Sequence, residues 1–251
     1  MAQMEYRVPF LVQVVMMVVN DAIFAVFWLL LFSHVAGDIR GYRFEDVMLL
    51  WSIMALGVGA SGVLFGNSGA ISRIIYRGAL DVYLLQPKPV LLNLLASNTS
   101  VGGWGDVLYG VALFFITQMV TMASAALFAL CAALACLVFT AVRVFYHSAS
   151  FWLGNGEQFA TLAADQMVNF GLYPGSIFSG AVRLLLHSLI PAALVAYLPA
   201  ELFRGLQAGS LDVGLLGRIV AADAAVVAVA VAAFYLGLRR YESGNQIGAR
   251  M

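Results

Sequence analysis

From about residue 104 to residue 146 the chain stays apolar over more length than one bilayer-crossing helix needs, since about 20 apolar residues span the hydrocarbon core. A polar patch at Gln118, Thr121 and Ser124 divides the run. Two helices joined by a tight turn keep the backbone polar groups paired inside lipid. The whole chain carries the same signature: 63% of its 251 residues are hydrophobic and 10% are charged. A water-soluble domain carries about 25% charged residues. The expected fold class is therefore an all-α polytopic membrane protein in one domain over residues 1–251, with the lipid bilayer as its solvent. A formal net charge of zero gives no field for nucleic acid, and no nucleic-acid partner is expected. Cys131 and Cys136 sit inside an apolar run and read as small buried hydrophobes, not as a disulfide or a metal site.

Six spans are expected, at about 10–33, 47–69, 104–121, 124–146, 148–171 and 212–238. The first apolar run, Phe10 to Phe32, is too long for a signal-peptide core and no Ala-x-Ala site follows it, so it reads as a true span. The fifth span has two candidates. Residues 148–171 are weakly apolar and contain Glu157, Asp165 and Asn169. Residues 176–198 are more apolar, but Pro191 interrupts them while Pro174 and Pro199 bracket them. Hydropathy alone favours the second. Placing the amino terminus in the cytoplasm puts Arg7, Arg73, Arg77, Lys88, Arg143, Arg239, Arg240 and Arg250 inside. The loop over 70–100 is rich in cations and the turn near 121 has none, so both termini are expected in the cytoplasm.

No phosphate-cradling Gly-x-x-x-x-Gly-Lys-Ser/Thr loop and no His-Glu-x-x-His is present. Work must then draw on an ion gradient or a partner. The segment 71–86 alternates Ile74, Ile75, Leu80 and Leu84 with Arg73, Arg77 and Asp81. That spacing predicts a short amphipathic helix at the membrane face, stopped by Pro87 and Pro89.

The pieces Gly78-x-Leu80-Asp81-x-x-Leu84-Leu85-x-Pro87, Phe151-Trp152, Tyr173-Pro174-x-x-Ile177-Phe178, Arg183, Ile190-Pro191 and Tyr197-x-Pro199-Ala200 follow one another in order. Together they resemble the ABC-2-type permeases of ABC transporters, in particular the viologen-exporter-like permease subunits. The resemblance covers nearly the whole chain. It implies a half-transporter without its own nucleotide site. A second permease, identical or different, would pair with it, and ATPase subunits carrying ATP and Mg would dock below. It implies that the helix at about 71–86 receives the ATPase stroke through Arg77, Gly78, Leu80, Asp81, Leu84, Leu85 and Pro87. It also assigns 148–171 to span five and about 174–206 to a broken re-entrant pair on the outer side, with Tyr173, Pro174, Arg183, Pro191 and Pro199 at a gate. Relatives usually carry an elbow helix before span one, and Met1 to Pro9 leaves little chain for one. The implied home is the inner (plasma) membrane of a prokaryote.

Carboxylates inside membrane segments usually face water or a partner. Asp21 beside Asn20, together with Glu157, Asp165 and Asn169, is the candidate pathway, and an acidic pathway suits cationic amphiphiles or drugs. Asp223 ranks lower, with Arg218 or backbone donors as its expected partner. Buried acids also allow a gradient-driven transporter. The glycine-rich stretch from Gly57 to Gly66 reads as helix packing. Its Gly59-Ala60-Ser61-Gly62 also resembles the serine motif of rhomboid intramembrane proteases. A nucleophilic serine needs a base within reach, and His34, His147 and His187 lack the rhomboid setting. The chain is expected to be a transport subunit, not an enzyme.

Overall fold

The computed structural model describes residues 7–35, 37–118, 120–188 and 190–242, and every element named below is helical. Helix α1 (Arg7–His34), α2 (Phe44–Leu64), α3 (Ile71–Tyr76), α4 (Asp81–Leu84), α5 (Val90–Ala96), α6 (Gly102–Thr117), α7 (Met122–Ser148) and α8 (Ser150–Leu153) come first. They are followed by α9 (Glu157–Gly171), α10 (Gly180–His187), α11 (Leu198–Gln207) and α12 (Val213–Leu238). Four helices are long and apolar enough to cross a membrane: α1, α2, α7 continued through α8, and α12. Helix α6 is apolar but 16 residues long, and α9 has 15. Four of the six expected spans fall on these long helices, and the other two fall on the shorter α6 and α9.

The divisions have local causes. The predicted turn between the third and fourth spans is capped as its residues suggested: Thr121 Oγ1 accepts from Ser124 N at 3.1 Å, and Ser124 Oγ accepts from Thr121 N at 2.8 Å. This reciprocal pair occupies backbone donors that a helix start leaves orphaned. Span two ends at Leu64, not 69, because Gly66–Ala70 tightens into a 3-10 turn. The Gly66 amide there donates to Asn98 O at 3.1 Å. The expected span over 148–171 is broken at Gly154, whose φ of 70° suits glycine. Segment 176–198 is not a continuous helix either. It contains α10 and a π turn at Ala193–Tyr197.

The core is a seam of small residues. A Cβ on Gly59 would lie 2.6 Å from Gly103 O, and one on Gly110 would lie 2.6 Å from Leu56 N. Backbones of α2 and α6 therefore touch. Gly57 meets Ala135 of α7 in the same way. The glycine-rich stretch packs helices, as its spacing suggested. Around the seam, Met48, Leu50, Ile53 and Met54 of α2 are sealed against Phe114, Phe128 and Val138. The rings of Phe114 and Phe128 stack at 4.0 Å.

Two ends can be distinguished. The base holds residues 66–101, the α7–α8 junction and the end of α12. The far end holds the α1–α2 and α6–α7 turns and residues 171–212. Pro9 and Phe10 of α1 line a hollow with Gly66 and Asn98, and the Tyr241 hydroxyl lies 3.9 Å from where a Gly78 Cβ would stand. Both ends of the described chain are thus at the base. An elbow before residue 7 lies outside the described residues.

Candidate functional site

Two neighbouring features make up the site: a segment at the base and a polar cavity above it.

The base segment differs from the predicted single helix over 71–86. Helix α3 stops at Tyr76, and Gly78 adopts φ 69°. Gly78 N donates to Ile75 O at 3.1 Å and Ala79 N to Ile74 O at 3.0 Å. These paired bonds to a glycine in the left-handed region are a Schellman stop. The amphipathic spacing carried through Gly78, and the backbone did not. After the turn, α4 spans four residues. Its residues divide in role. Leu80 is sealed in a second apolar cluster with Ile71, Leu94, Val144 and Phe234. Val82 (61% exposed), Leu84 and Leu85 (86%) face outward. Arg77, Pro87 and Lys88 are also exposed, and Asp81 is partly covered. Tyr241, beyond α12, lies beside Asp81 and Leu80; burial first, then Asp81, pushes its phenol up to about 12.

This segment is stitched to the helices above. Ser72 Oγ lies 2.8 Å from His147 Nδ1 on α7, both side chains buried. Arg73 pairs with Glu157 at the start of α9 at 3.6 Å. Thr99 Oγ1 donates to Val63 O at 2.6 Å and Ser100 N to Gly62 O at 2.8 Å, tying the segment to the foot of α2. Asn67 Nδ2 donates to Leu94 O at 3.1 Å. The ring of Phe151 lies against Gly237 and meets Phe234 at 5.6 Å, so the Phe151-Trp152 piece joins α8 to α12.

The cavity lies between α1, α2, α6, α7 and α9, with a volume of about 330 Å³. Gly62, Gly66, Gly69 and Gly103 leave its walls bare, and Asp106, Arg143 and Asp165 line it. Asp21 of α1 and Asp106 of α6 are neighbours. Both are buried, and Asp21 Oδ2 and Asp106 Oδ1 have no hydrogen-bond partner among the described residues. Buried polar atoms of this kind are rare in finished cores.

The pathway residues read from the sequence are therefore only partly brought together. Asp165 lines the cavity, and Asp21 lies behind its wall, beside Asp106. Asn20 is exposed on α1 and reaches Asp21 Oδ1 only at 3.5 Å. Asn169 is exposed, and Glu157 is engaged by Arg73 at the base. Asp106 and Arg143 were missed, although a lone acid in the first turns of an apolar run is a signal. Asp223 is buried between α12 and α7 with both oxygens unpartnered among the described residues, so the expected pairing with Arg218 is not made. Ser61 is buried with its Oγ 2.8 Å from Thr140 Oγ1, and Thr140 donates on to Cys136 O. A hydroxyl against a hydroxyl has no base, so Ser61 is a packing residue. Among the described residues no cluster of three or more His, Cys, Asp or Glu is arranged to hold a metal.

Of the residues expected at a gate, Arg183 and Pro199 lie on short helices at the far end and Tyr173, Pro174 and Pro191 lie in the breaks between helices. Tyr173 packs edge-on to Trp28 at 6.2 Å. Pro174 precedes a 3-10 turn, Arg183 lies exposed on α10, and Pro191 precedes the buried π turn. Pro199 stands in the first turn of α11. Arg204 bonds Asp46 at 3.1 Å and Gly41 O at 2.8 Å, and stacks 4.3 Å above the Tyr42 ring.

Residues 16–245 match the family described as ABC-2 family transporter protein. The chain belongs to that family. Comparison with curated proteins and with solved structures finds no match. As an ABC-2 family member it is a membrane-embedded permease component of an ABC transporter, a transport part and not a catalyst. Membership implies association with ABC ATPase subunits.

Proposed function

We propose that this ABC-2 permease is the path-forming subunit of an ATP-driven exporter and that residues 71–96 are its coupling element. In this reading the base faces the cytoplasm, both termini are cytoplasmic, and the membrane is the inner membrane of a prokaryote. Helices α6 and α9 complete six crossings, and residues 174–206 dip into the outer side. Backbone of that irregular kind is tolerated at membrane depth when buried in protein, and Ala193–Tyr197 are buried. A second permease pairs with this one, and the ATPase partners carry ATP and Mg.

One observation carries the reading. The element that turns Val82, Leu84 and Leu85 outward is tied by Ser72–His147 and Arg73–Glu157 to α7 and α9, which wall the cavity. A partner that grips the exposed leucines pulls on those two helices. Unpartnered carboxyl oxygens at Asp21 and Asp106 favour a substrate bearing a cationic group on an apolar body.

The experiment is Leu85→Asp in the complex with its ATPase. Leu85 is exposed, so folding is unaffected; substrate-stimulated ATP hydrolysis and transport are expected to fall at least ten-fold. Unchanged ATPase docking and transport in Leu85→Asp and in Asp81→Lys would sink the coupling role. The buried acids also keep a gradient-driven reading in view. Transport that collapses with an uncoupler at constant ATP would favour it.

A further inference from the structure

A second cavity lies on the flank of the molecule and takes no part in the path. It is a groove between α5, α7 and α12 of about 300 Å³, lined by side chains that include Leu92, Leu95, Leu137, Val144, Val231 and Tyr235. Helices α7 and α12 are two of those long and apolar enough to cross a membrane, so the groove opens to the bilayer. Along α12 it runs from Val227 to Tyr235, about 12 Å at 1.5 Å per residue. Apart from Thr140 and the Tyr235 hydroxyl its lining is aliphatic or aromatic, a surface that suits a hydrocarbon chain.

The rim supplies the other half of the recognition. Pro89 lines the groove, and the preceding Lys88 is exposed. Tyr235 lines it too, and Arg239 follows one helical turn on, hence on the same face. Arg239 and Arg240 are exposed, and Glu242 is the nearby acid. Cations beside the base end of an apolar slot match a phosphate with an acyl chain beneath it.

We propose that this groove holds one acyl chain of an anionic phospholipid whose phosphate sits between Lys88 and Arg239. The lipid fills the gap between α5, which belongs to the base segment, and the bundle. It stiffens the joint through which the base segment moves the helices. Lipid binding itself does not depend on the transport reading.

The test is native mass spectrometry of the delipidated full chain, titrated with phosphatidylglycerol and with phosphatidylcholine. One tightly held phosphatidylglycerol is expected, preferred about ten-fold over phosphatidylcholine. Lys88→Glu and Arg239→Glu are each expected to weaken phosphatidylglycerol about five-fold, the effect of about 1 kcal/mol per cation at an anionic surface. Phosphatidylcholine is expected to be unaffected by either change. Val231→Trp, which fills the slot, should expel both lipids, and Leu92→Trp repeats the test from α5 should the first variant fold poorly. Equal retention of the two lipids, a preference that survives the double charge reversal, or lipid retained by a folded slot-filling variant would each overturn the proposal.

Discussion

The two ends of the bundle combine polar bonds and apolar packing in different ways. At the base, short polar bonds reach from one element to the next: Ser72 to His147, Arg73 to Glu157, Thr99 to Val63, Asn67 to Leu94. At the far end, residues 191–203 are sunk into apolar contacts with α2 and α7. Polar ties also cross there: Arg204 to Asp46 and to Gly41 O, Arg40 to Ser176 O, Gln118 Nε2 to Glu45 O at 2.8 Å, and Tyr197 O–H to Phe170 O at 2.7 Å. Directional bonds keep helices in register as a body is pushed, whereas close packing resists any opening. On the proposed reading the handle is at the base and the seal at the far end.

The largest effect is expected in the apolar packing of the far end. Phe203→Ala at the far end removes a ring buried against Phe114. It should cost about 3 kcal/mol, the low end for Phe→Ala because lipid replaces water as the outside solvent, read as a lower thermal midpoint in detergent. ATPase docking should survive in the folded fraction. Ser72→Ala at the base leaves the buried His147 ring nitrogen without its partner, a loss of about 1–3 kcal/mol. It should also weaken coupling, so stimulated ATP hydrolysis falls further than binding of the ATPase. Gly78→Ala must hold φ 69° with a Cβ. About 1 kcal/mol is expected, and space is not the obstacle, because the nearest atom lies at 3.9 Å. Arg73→Ala, an exposed pair, should change stability by less than about 1 kcal/mol. If its coupling is equally untouched, the base is not a handle and the contrast fails.

The sequence made some of this architecture readable and hid the rest for identifiable reasons. Helices α1, α2, α7 and α12 announce themselves because lipid demands long apolar runs. The α6–α7 turn was legible because Thr121 and Ser124 are cap-forming residues. The break at Gly78 was not, because helical spacing of Ile74, Ile75, Leu80 and Leu84 continues through a residue whose backbone leaves the helix. Gly154 hid in the same way inside the expected fifth span. At the cavity and behind its wall, Asp165 and Asp21 were visible as acids in apolar or weakly apolar segments. Asp106 was passed over because hydropathy averages across a run, and Arg143 was read only as a cytoplasmic-side cation. Only the fold brings Asp106 against Asp21, far away in the chain. Similarly, nothing local says that Leu80 faces inward while Leu84 and Leu85 face out. That division depends on where α3 stops.

The backbone contact between α2 and α6 has a kinetic implication. Where Gly59 meets Gly103 and Gly110 meets Leu56, no side chains lie between the helices to slide or repack. The pair behaves as a single plank. Helix α1 is drawn onto the same plank, since a Cβ on Gly105 of α6 would lie 2.8 Å from Val14 O, so opening and closing of the chamber falls to α9.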